Sequence, residues 1–258
     1  MSSFVYASDL HGNRQAYDRL FALEADAVVL GGDLLPYPLK MGGDPLLPQR
    51  KFVDEYLAEK FATRPCYWIP GNDDWASLLA PLEAKGKPLH GRALPFLEGF
   101  SIAGYGCVPV TPFGMKDFDR RDVEGWTPGE EPKRCLWSTP AGLESVPLSA
   151  VLARGTIAAD LERLASLSDP ARTLYVIHSP PFATTLDRLH KGLTPIGSRA
   201  VRMFIDRLQP PLTLHGHIHE SPGVERLGKT ISVNPGDSMS RLQAVRVTLP
   251  ELTVTPLS

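Results

Sequence analysis

Seven polar residues of this chain are of the types that bind divalent metal ions in proteins. Carboxylate oxygen, amide oxygen and imidazole nitrogen together suit Mn, Fe, Zn, Ni or Mg. Two pairs have one residue between their members, and both members of such a pair point the same way in a strand because side chains alternate. The seven residues are Asp9, His11, Asp33, Asn72, His178, His217 and His219. Their types and spacing predict a metal site.

Taken one at a time, these residues have ordinary structural explanations. Asp9 and Asn72 are residue types that commonly cap helices or form turns, and a single histidine such as His178 is more often a hydrogen-bonded structural residue. Four of the seven histidines fall within the set, however, and this joint pattern favours metal binding. His215 shares the alternation of the last pair, and we expect it to support a ligand or the strand.

The elements that must position the set are short β-prone runs, which lie at 4–8, 27–30, 66–69, 173–177 and 212–214. Each run ends just before one of the polar clusters, and helical patterns alternate with the runs. This alternation is typical of βαβ units with a buried sheet. Because ligands bind beyond the carboxyl ends of the strands in such sheets, we expect the clusters to converge.

The helical patterns cover about 13–24, 48–61, 75–84, 149–167 and 198–208, and further strands are predicted at 223–226, 229–233, 244–249 and 252–255. Residues 105–148 break this order with Pro, Gly, Trp and charged residues. Long segments without regular structure in a compact domain are usually functional or variable. We expect a loop over the site here, with a surface excursion as an equal alternative.

Composition argues against several classes of protein. The net charge is −2 and no basic block stands out, which disfavours a dedicated nucleic-acid-binding module but leaves a nucleotide substrate open. No apolar stretch approaches the roughly 18 residues that span a membrane, and no secretory signal is recognised. The three cysteines lie far apart without CxxC spacing. We therefore expect a reduced, cytoplasmic protein.

These motifs resemble those of the calcineurin-like metallophosphoesterase superfamily, whose pattern is DxH, GGD or GD, GN followed by His or Asp, a later His, and GHxH. The corresponding elements here, in the same order, are Asp9-Leu10-His11, Gly31-Gly32-Asp33, Gly71-Asn72-Asp73-Asp74, His178 and Gly216-His217-Ile218-His219. The resemblance implies an α/β fold, a four-layer α/β/β/α sandwich, in a single domain over 1–258. The insert near 105–148 would then cover the substrate.

The resemblance also implies how the ligands are divided. The implied sets are one ion on Asp9, His11 and His219, a second ion on Asn72, His178 and His217, and Asp33 bridging both. We expect two divalent ions, manganese first, with iron, zinc, nickel or magnesium as alternatives. A hydroxide that bridges the ions would attack phosphorus in line. The residues with implied catalytic roles are Asp33, Asn72, His178 and Asp73.

One position departs from the pattern of many family members, which have His after the Asn and use it toward the leaving group or the phosphate. Here Asp73 occupies that position, and an ionised aspartate would repel phosphate. Asp73 could be protonated by burial and act as an acid, another group could donate the proton or none be needed, or the site could bind with little turnover. We favour the second interpretation. Asp74 could orient a ligand or cap a helix.

Asn13 and Arg14 follow the first motif closely enough to contact substrate, although Asn13 is an equally good helix cap. We predict a phosphodiesterase that acts on a small or nucleotide-like phosphate ester. The alternatives are a phosphomonoesterase or protein phosphatase and, from another class, a metal-binding interaction protein with little turnover. No membrane association is expected, and the sequence leaves the oligomeric state open.

Overall fold

The computed structural model describes residues 1–37, 43–189 and 194–257. The strands, in chain order, are β1 (Ser2–Ala7), β2 (Ala27–Leu30), β3 (Cys66–Trp68), β4 (Lys87–Pro88), β5 (Arg92–Pro95), β6 (Ser101–Tyr105), β7 (Val108–Pro109), β8 (Asp119–Arg120), β9 (Cys135–Thr139), β10 (Gly142–Val146), β11 (Thr173–Ile177), β12 (Arg188–Leu189), β13 (Thr194–Pro195), β14 (Leu212–Leu214), β15 (Gly223–Leu227), β16 (Thr230–Asn234), β17 (Ala244–Leu249) and β18 (Thr253–Leu257). The α-helices are α1 (Arg14–Ala22), α2 (Leu47–Phe52), α3 (Ala58–Ala62), α4 (Ala80–Lys85), α5 (Leu148–Leu152), α6 (Ile157–Ala165) and α7 (Arg199–Leu208).

Two six-stranded sheets are present within the described residues. The first has the order β18-β17-β1-β2-β3-β4, and its strands from β1 to β4 are parallel. The second has the order β15-β16-β14-β11-β6-β5, with the four central strands parallel and the two edge strands antiparallel. The carboxyl ends of the parallel strands therefore gather at one edge of each sheet, where ligands bind in open α/β sheets.

Alternation along the strands produces the layers. Phe4 and Tyr6 of β1 belong to an apolar cluster built from strands of both sheets, whereas Val5 and Ala7 belong to one that also contains residues of the helices. Because neighbouring side chains of a strand point to opposite faces, the first cluster lies between the sheets. The second lies under the helices. This confirms the expected four-layer α/β/β/α sandwich.

The α-helices lie within the predicted spans, to within one residue at their ends. A π-helical turn (Val53–Leu57) joins α2 to α3, and a 3₁₀-helix (Ala76–Leu78) precedes α4. Asn13 caps α1 and Ser198 caps α7, each accepting a hydrogen bond from a backbone N–H in the first turn. The helix predicted over 149–167 is divided into α5 and α6, because Gly155 adopts a φ of +97° and Thr156 begins a new helix as its N-cap. Among the described residues, no helix has the length and apolar character needed to cross a membrane.

The segment 105–148 contains short strands where the sequence predicted an irregular loop. β7 pairs with β8, and β9 forms a hairpin with β10. The carboxylate of Asp117 accepts hydrogen bonds from the backbone N–H of Ala76 and of Ser138, so the segment is attached to the turn that follows β3. That the segment covers the substrate stays a prediction.

Asp122 attaches the same segment to α7. Its carboxylate accepts hydrogen bonds from the Ser198 hydroxyl at 2.5 Å and from the backbone N–H of Arg199 at 2.7 Å. The Asp122 side chain is buried, and its negative charge lies at the positive end of the helix dipole. This residue therefore links the insert to a helix of the main fold.

We expect Asp122→Ala to lower the free energy of unfolding by about 1–3 kcal/mol, because buried donors at the start of α7 lose their acceptor. Urea unfolding followed by circular dichroism measures the change. Glu124→Ala is the control, since the Glu124 side chain is 88% exposed, and we expect it to stay within about 0.5 kcal/mol of the unchanged protein. Equal stabilities of the two variants would contradict the attachment.

Candidate metal centre

The predicted ligands meet where strands of the two sheets end. Asp9 follows β1 and Asp33 follows β2, and the backbone N–H of Asp9 donates to the carbonyl of Gly32 at 3.0 Å. His178 follows β11 of the facing sheet, and the segment with His217 follows its neighbour β14. The site therefore spans both sheets, as the strand-end argument predicts.

Two groups of side chains have ligand atoms within 4.8 Å of one another. The first group consists of Asp9, His11, Asp33 and His219, and the second of Asp33, His178 and His217. Asp33 alone belongs to both groups. Six of the seven predicted ligands are thus brought together in two groups, and the division of the ligands between two ions stays a prediction.

Asn72, the seventh predicted ligand, lies beside the shared carboxylate. The backbone N–H of Asp73 donates to Asp33 Oδ1 at 2.8 Å, which brings the end of β3 against the end of β2. The Asn72 Nδ2 atom donates to Asp73 Oδ1 at 3.2 Å, whereas Asn72 Oδ1 is buried and has no hydrogen-bond partner among the described residues. The amide is therefore oriented with its oxygen available as a ligand.

His178 shows most directly that these residues fit a cation. Its Nδ1 donates to the Gly31 carbonyl at 2.7 Å, which leaves Nε2 as an acceptor in the neutral ring. That buried Nε2 faces Asp33 Oδ2 at 3.3 Å without a hydrogen bond. Two acceptors at this distance repel each other unless a proton or a metal ion lies between them.

The protonation equilibria respond to this crowding. Burial opposes the charge of His178, but Asp33 raises the pKa of His178 to about 9. Burial likewise opposes the charge of Asp33 and so raises its pKa. His178 and then His11 outweigh burial and hold the pKa of that carboxyl well below its usual range. In the ion-free protein, therefore, a proton on His178 is stabilised by the shared carboxylate. A divalent ion would take the place of this proton when it binds.

Asp73 and Asp74 differ in their surroundings. Burial, followed by the charge of Asp33, raises the pKa of Asp73 to about 8 and that of Asp74 to about 7. Asp74 is fully buried and accepts hydrogen bonds from the backbone N–H of Leu34 and Gly71 at 3.0 and 2.9 Å. Asp74 thus ties the loop after β2 to the loop after β3.

Two glycines of the motifs allow the close approach of the carboxylates. A Cβ atom on Gly71 would lie 2.2 Å from Asp33 Oδ1, and one on Gly216 would lie 2.3 Å from Asp9 Oδ2. Both distances are far inside van der Waals contact, so any larger residue would displace a ligand. Steric contact with these carboxylates therefore explains why glycine precedes Asn72 and why glycine precedes His217.

Four of the predicted ligand residues have a left-handed backbone. The φ angles are +54° at Asp9, +41° at His11, +50° at Asp33 and +66° at His217. Residues with a Cβ adopt this region rarely, and such strain concentrates at functional sites. The turns aim side chains from the strand ends into the shared space.

The two residues predicted to contact the substrate, Asn13 and Arg14, contact other parts of the protein instead. The Asn13 Oδ1 atom accepts from Ala16 N–H, and its Nδ2 donates to the carbonyl of Ser238 at 2.9 Å. The Arg14 guanidinium lies over the ring of Tyr56, with 5.0 Å between its carbon and the ring centroid. The helix-capping alternative for Asn13 is observed, and neither contact supports a role in substrate binding.

His215 lies in neither ligand group. Its Nδ1 atom is 2.9 Å from the carbonyl oxygen of Ile177, and its Nε2 atom is 2.8 Å from the hydroxyl of Thr213. The ring is buried and links β14 to β11. This is the supporting role that the alternation in the sequence left for it.

Tyr37 belongs to the site and was missed by the sequence argument. Its ring stacks on the imidazole of His11, with 4.2 Å between centroids and 14° between planes. Burial, and then the charge of Asp73, raises the pKa of the Tyr37 phenol. The only signal in the sequence is an aromatic residue shortly after Asp33, which is too common to indicate a function.

We expect Asp33→Asn to lose most divalent-metal binding at both ligand groups, since the amide removes the one charge that they share. Metal content after loading with Mn²⁺ and desalting, measured by inductively coupled plasma mass spectrometry, tests this. Asp54→Asn is the matched control, because Asp54 is exposed on the helical segment 47–62. Undiminished manganese in Asp33→Asn would show that the shared carboxylate is not a ligand.

The whole chain resembles known proteins. It is 24% identical over 236 residues to the uncharacterized protein MJ1162 of Methanocaldococcus jannaschii, covering 90% of this chain and 86% of the relative. The crystal structure of TT1561 of Thermus thermophilus is similar with a TM-score of 0.59 and 19% identity, covering 100% of this chain and 98% of that one. At this identity the structural similarity supports the fold alone.

The sequence profile of one protein family matches residues 2–221, which include all seven predicted ligands. That profile describes the calcineurin-like phosphoesterases. The match covers most of the chain and agrees with the sandwich of two sheets. The chain therefore belongs to the calcineurin-like phosphoesterase family.

Proposed function

We propose that this protein hydrolyses small phosphate esters with two divalent ions, and that it prefers diesters. Membership of the phosphoesterase family supports the reaction class. The observation that carries the two-ion proposal is the position of Asp33 in both ligand groups. Two ions bound there would lower the pKa of a water molecule, bind phosphate oxygens and offset charge on the leaving oxygen.

The protein's own residues supply the geometry. The hydrogen bond from His178 Nδ1 to the Gly31 carbonyl sets the ring so that Nε2 points into the site. In the first group, the His219 Nε2 atom lies 3.2 Å from Asp9 Oδ1 and 3.4 Å from His11 Nε2. These ligands come from rigid strand ends, so they can hold their positions before the substrate binds.

Asp73 serves as a positioning residue in this proposal. The hydrogen bond that it accepts from Asn72 directs the amide oxygen of Asn72 away from Asp73. This contact gives Asp73 a role that requires no proton transfer to a leaving group. The preference for diesters rests on this residue, since Asp73 stands where many family members have a histidine.

The proposed partner is a small phosphate ester, including a nucleotide-like one. Manganese is the proposed first choice of metal. The mixture of carboxylate, amide and imidazole ligands would accept it, and it would also accept iron, zinc, nickel or magnesium. The cytoplasmic location stays a prediction from the sequence.

We expect the manganese-loaded protein to cleave bis(p-nitrophenyl) phosphate faster than p-nitrophenyl phosphate at equal concentration. Asp33→Ala should reduce both rates to background, because the ions lose their shared ligand. Release of p-nitrophenol at 405 nm reports the rates, and Asp54→Ala is the control at an exposed aspartate. A protein with two bound ions that cleaves neither ester, nor a panel of linear and cyclic nucleotides, would contradict the enzymatic function.

We expect Asp73→Asn to lower kcat by less than about tenfold, because the asparagine oxygen can still accept the hydrogen bond from Asn72. Asp73→Leu removes the acceptor and should weaken metal binding as well as activity. Rates with bis(p-nitrophenyl) phosphate and metal content together separate the effects. A fall of several orders of magnitude in Asp73→Asn at full metal content would assign the proton donation to Asp73 instead.

A further inference from the structure

Tyr37 places a hydroxyl group at the edge of the proposed metal site. Its ring is nearly parallel to the imidazole of His11, and its hydroxyl oxygen lies 3.3 Å from His11 Nε2. This same Nε2 faces the other ligands, at 3.9 Å from Asp33 Oδ2. The stacking therefore brings the phenol O–H to the side of the ring that faces the other predicted ligands.

The hydroxyl has one partner within the part of the chain that the structure describes, and metal binding would remove it. The ring of His11 accepts only through a nitrogen lone pair, and a lone pair that binds an ion cannot accept a hydrogen bond. Tyr37 is 44% exposed, so a ligand can approach this side chain from solvent. In the loaded site the phenol O–H would thus be a donor without an acceptor among the residues that the structure describes.

The chain leading to Tyr37 is held in place. Leu35 N–H donates to Asp74 Oδ1 at 2.8 Å, and the Gln49 side chain donates to the Pro36 carbonyl at 3.0 Å. Gly12, with a φ of +75°, leaves room for Pro36, since a Cβ there would lie 2.7 Å from the proline ring. These contacts fix the backbone of the residue just before Tyr37.

Gln49 also connects Tyr37 to the opposite side of the site. Its buried amide donates to the Asp73 carbonyl at 2.6 Å and accepts from Trp75 N–H at 2.9 Å. The loop with Tyr37 and the loop with Asn72 are therefore tied to one side chain. The hydroxyl is positioned relative to the ligands instead of lying on an independent surface loop.

We propose that the Tyr37 hydroxyl donates a hydrogen bond to a phosphoryl oxygen of the ester bound at the two ions. This inference rests on the proposed function and adds a substrate contact to it. The proton stays on Tyr37 throughout, so the contact acts through charge stabilisation on the phosphoryl group. The contact adds a hydrogen-bond donor to a site in which Asp73 stands at the sequence position where many family members have a histidine.

The test removes only the hydroxyl. Tyr37→Phe keeps the ring that stacks on His11, so the His11 imidazole should keep its orientation. We expect unchanged manganese content, a tenfold to hundredfold lower kcat/KM for bis(p-nitrophenyl) phosphate, and weaker binding of inorganic phosphate by calorimetry, as for a lost hydrogen bond to a charged group. Tyr56→Phe is the matched control, because its hydroxyl donates to Asp18 at 2.8 Å in the helix layer.

The outcomes separate this contact from the proposed function. If the unchanged protein cleaves no ester, the proposed function fails, while weaker phosphate binding by Tyr37→Phe still supports the contact. Unchanged phosphate affinity and unchanged kcat/KM in Tyr37→Phe would overturn it. A loss of manganese in Tyr37→Phe would also overturn it, since the hydroxyl would then act through His11.

Discussion

The shared carboxylate of Asp33 is the constraint on which the rest of the site depends. One oxygen accepts the Asp73 N–H, and the other faces His178 and His11 at 3.3 and 3.9 Å. Such an arrangement requires strand ends from both sheets to meet within a few ångströms. Burying this carboxylate beside Asp9, Asp73 and Asp74 costs free energy unless cationic partners compensate it. The fold thus brings together charges that are stable only with bound cations or protons.

The layers make this meeting possible. Apolar alternation in β1 and in the strands facing it packs the two sheets together, and residues that follow strands of both sheets meet at the site. Asp74 and Gln49 then join the loops that emerge from that edge through hydrogen bonds to backbone groups. Satisfied buried networks of this kind favour one arrangement over others. The ligands are consequently held by the core and by loop contacts at the same time.

The sequence was sufficient for features that depend on local chemistry. Strand alternation, the helix cap at Asn13 and the polar residues at the strand ends all depend on residues close in the chain. The pairing of β9 with β10 and the position of Tyr37 depend on contacts that no local pattern specifies. Arg14 illustrates the same limit, since its guanidinium turns toward rings of another helical segment. Motif spacing identifies ligands better than it identifies the residues that surround them.

The left-handed backbone at the ligands has an evolutionary consequence. Asp9, His11, Asp33 and His217 each carry a Cβ at positive φ, a conformation that costs roughly 1–2 kcal/mol relative to glycine. Under selection for stability alone, mutation would replace such residues with glycine, which adopts this conformation freely. Aspartate and histidine at these turns therefore point to selection for what these side chains do, at a cost in backbone free energy.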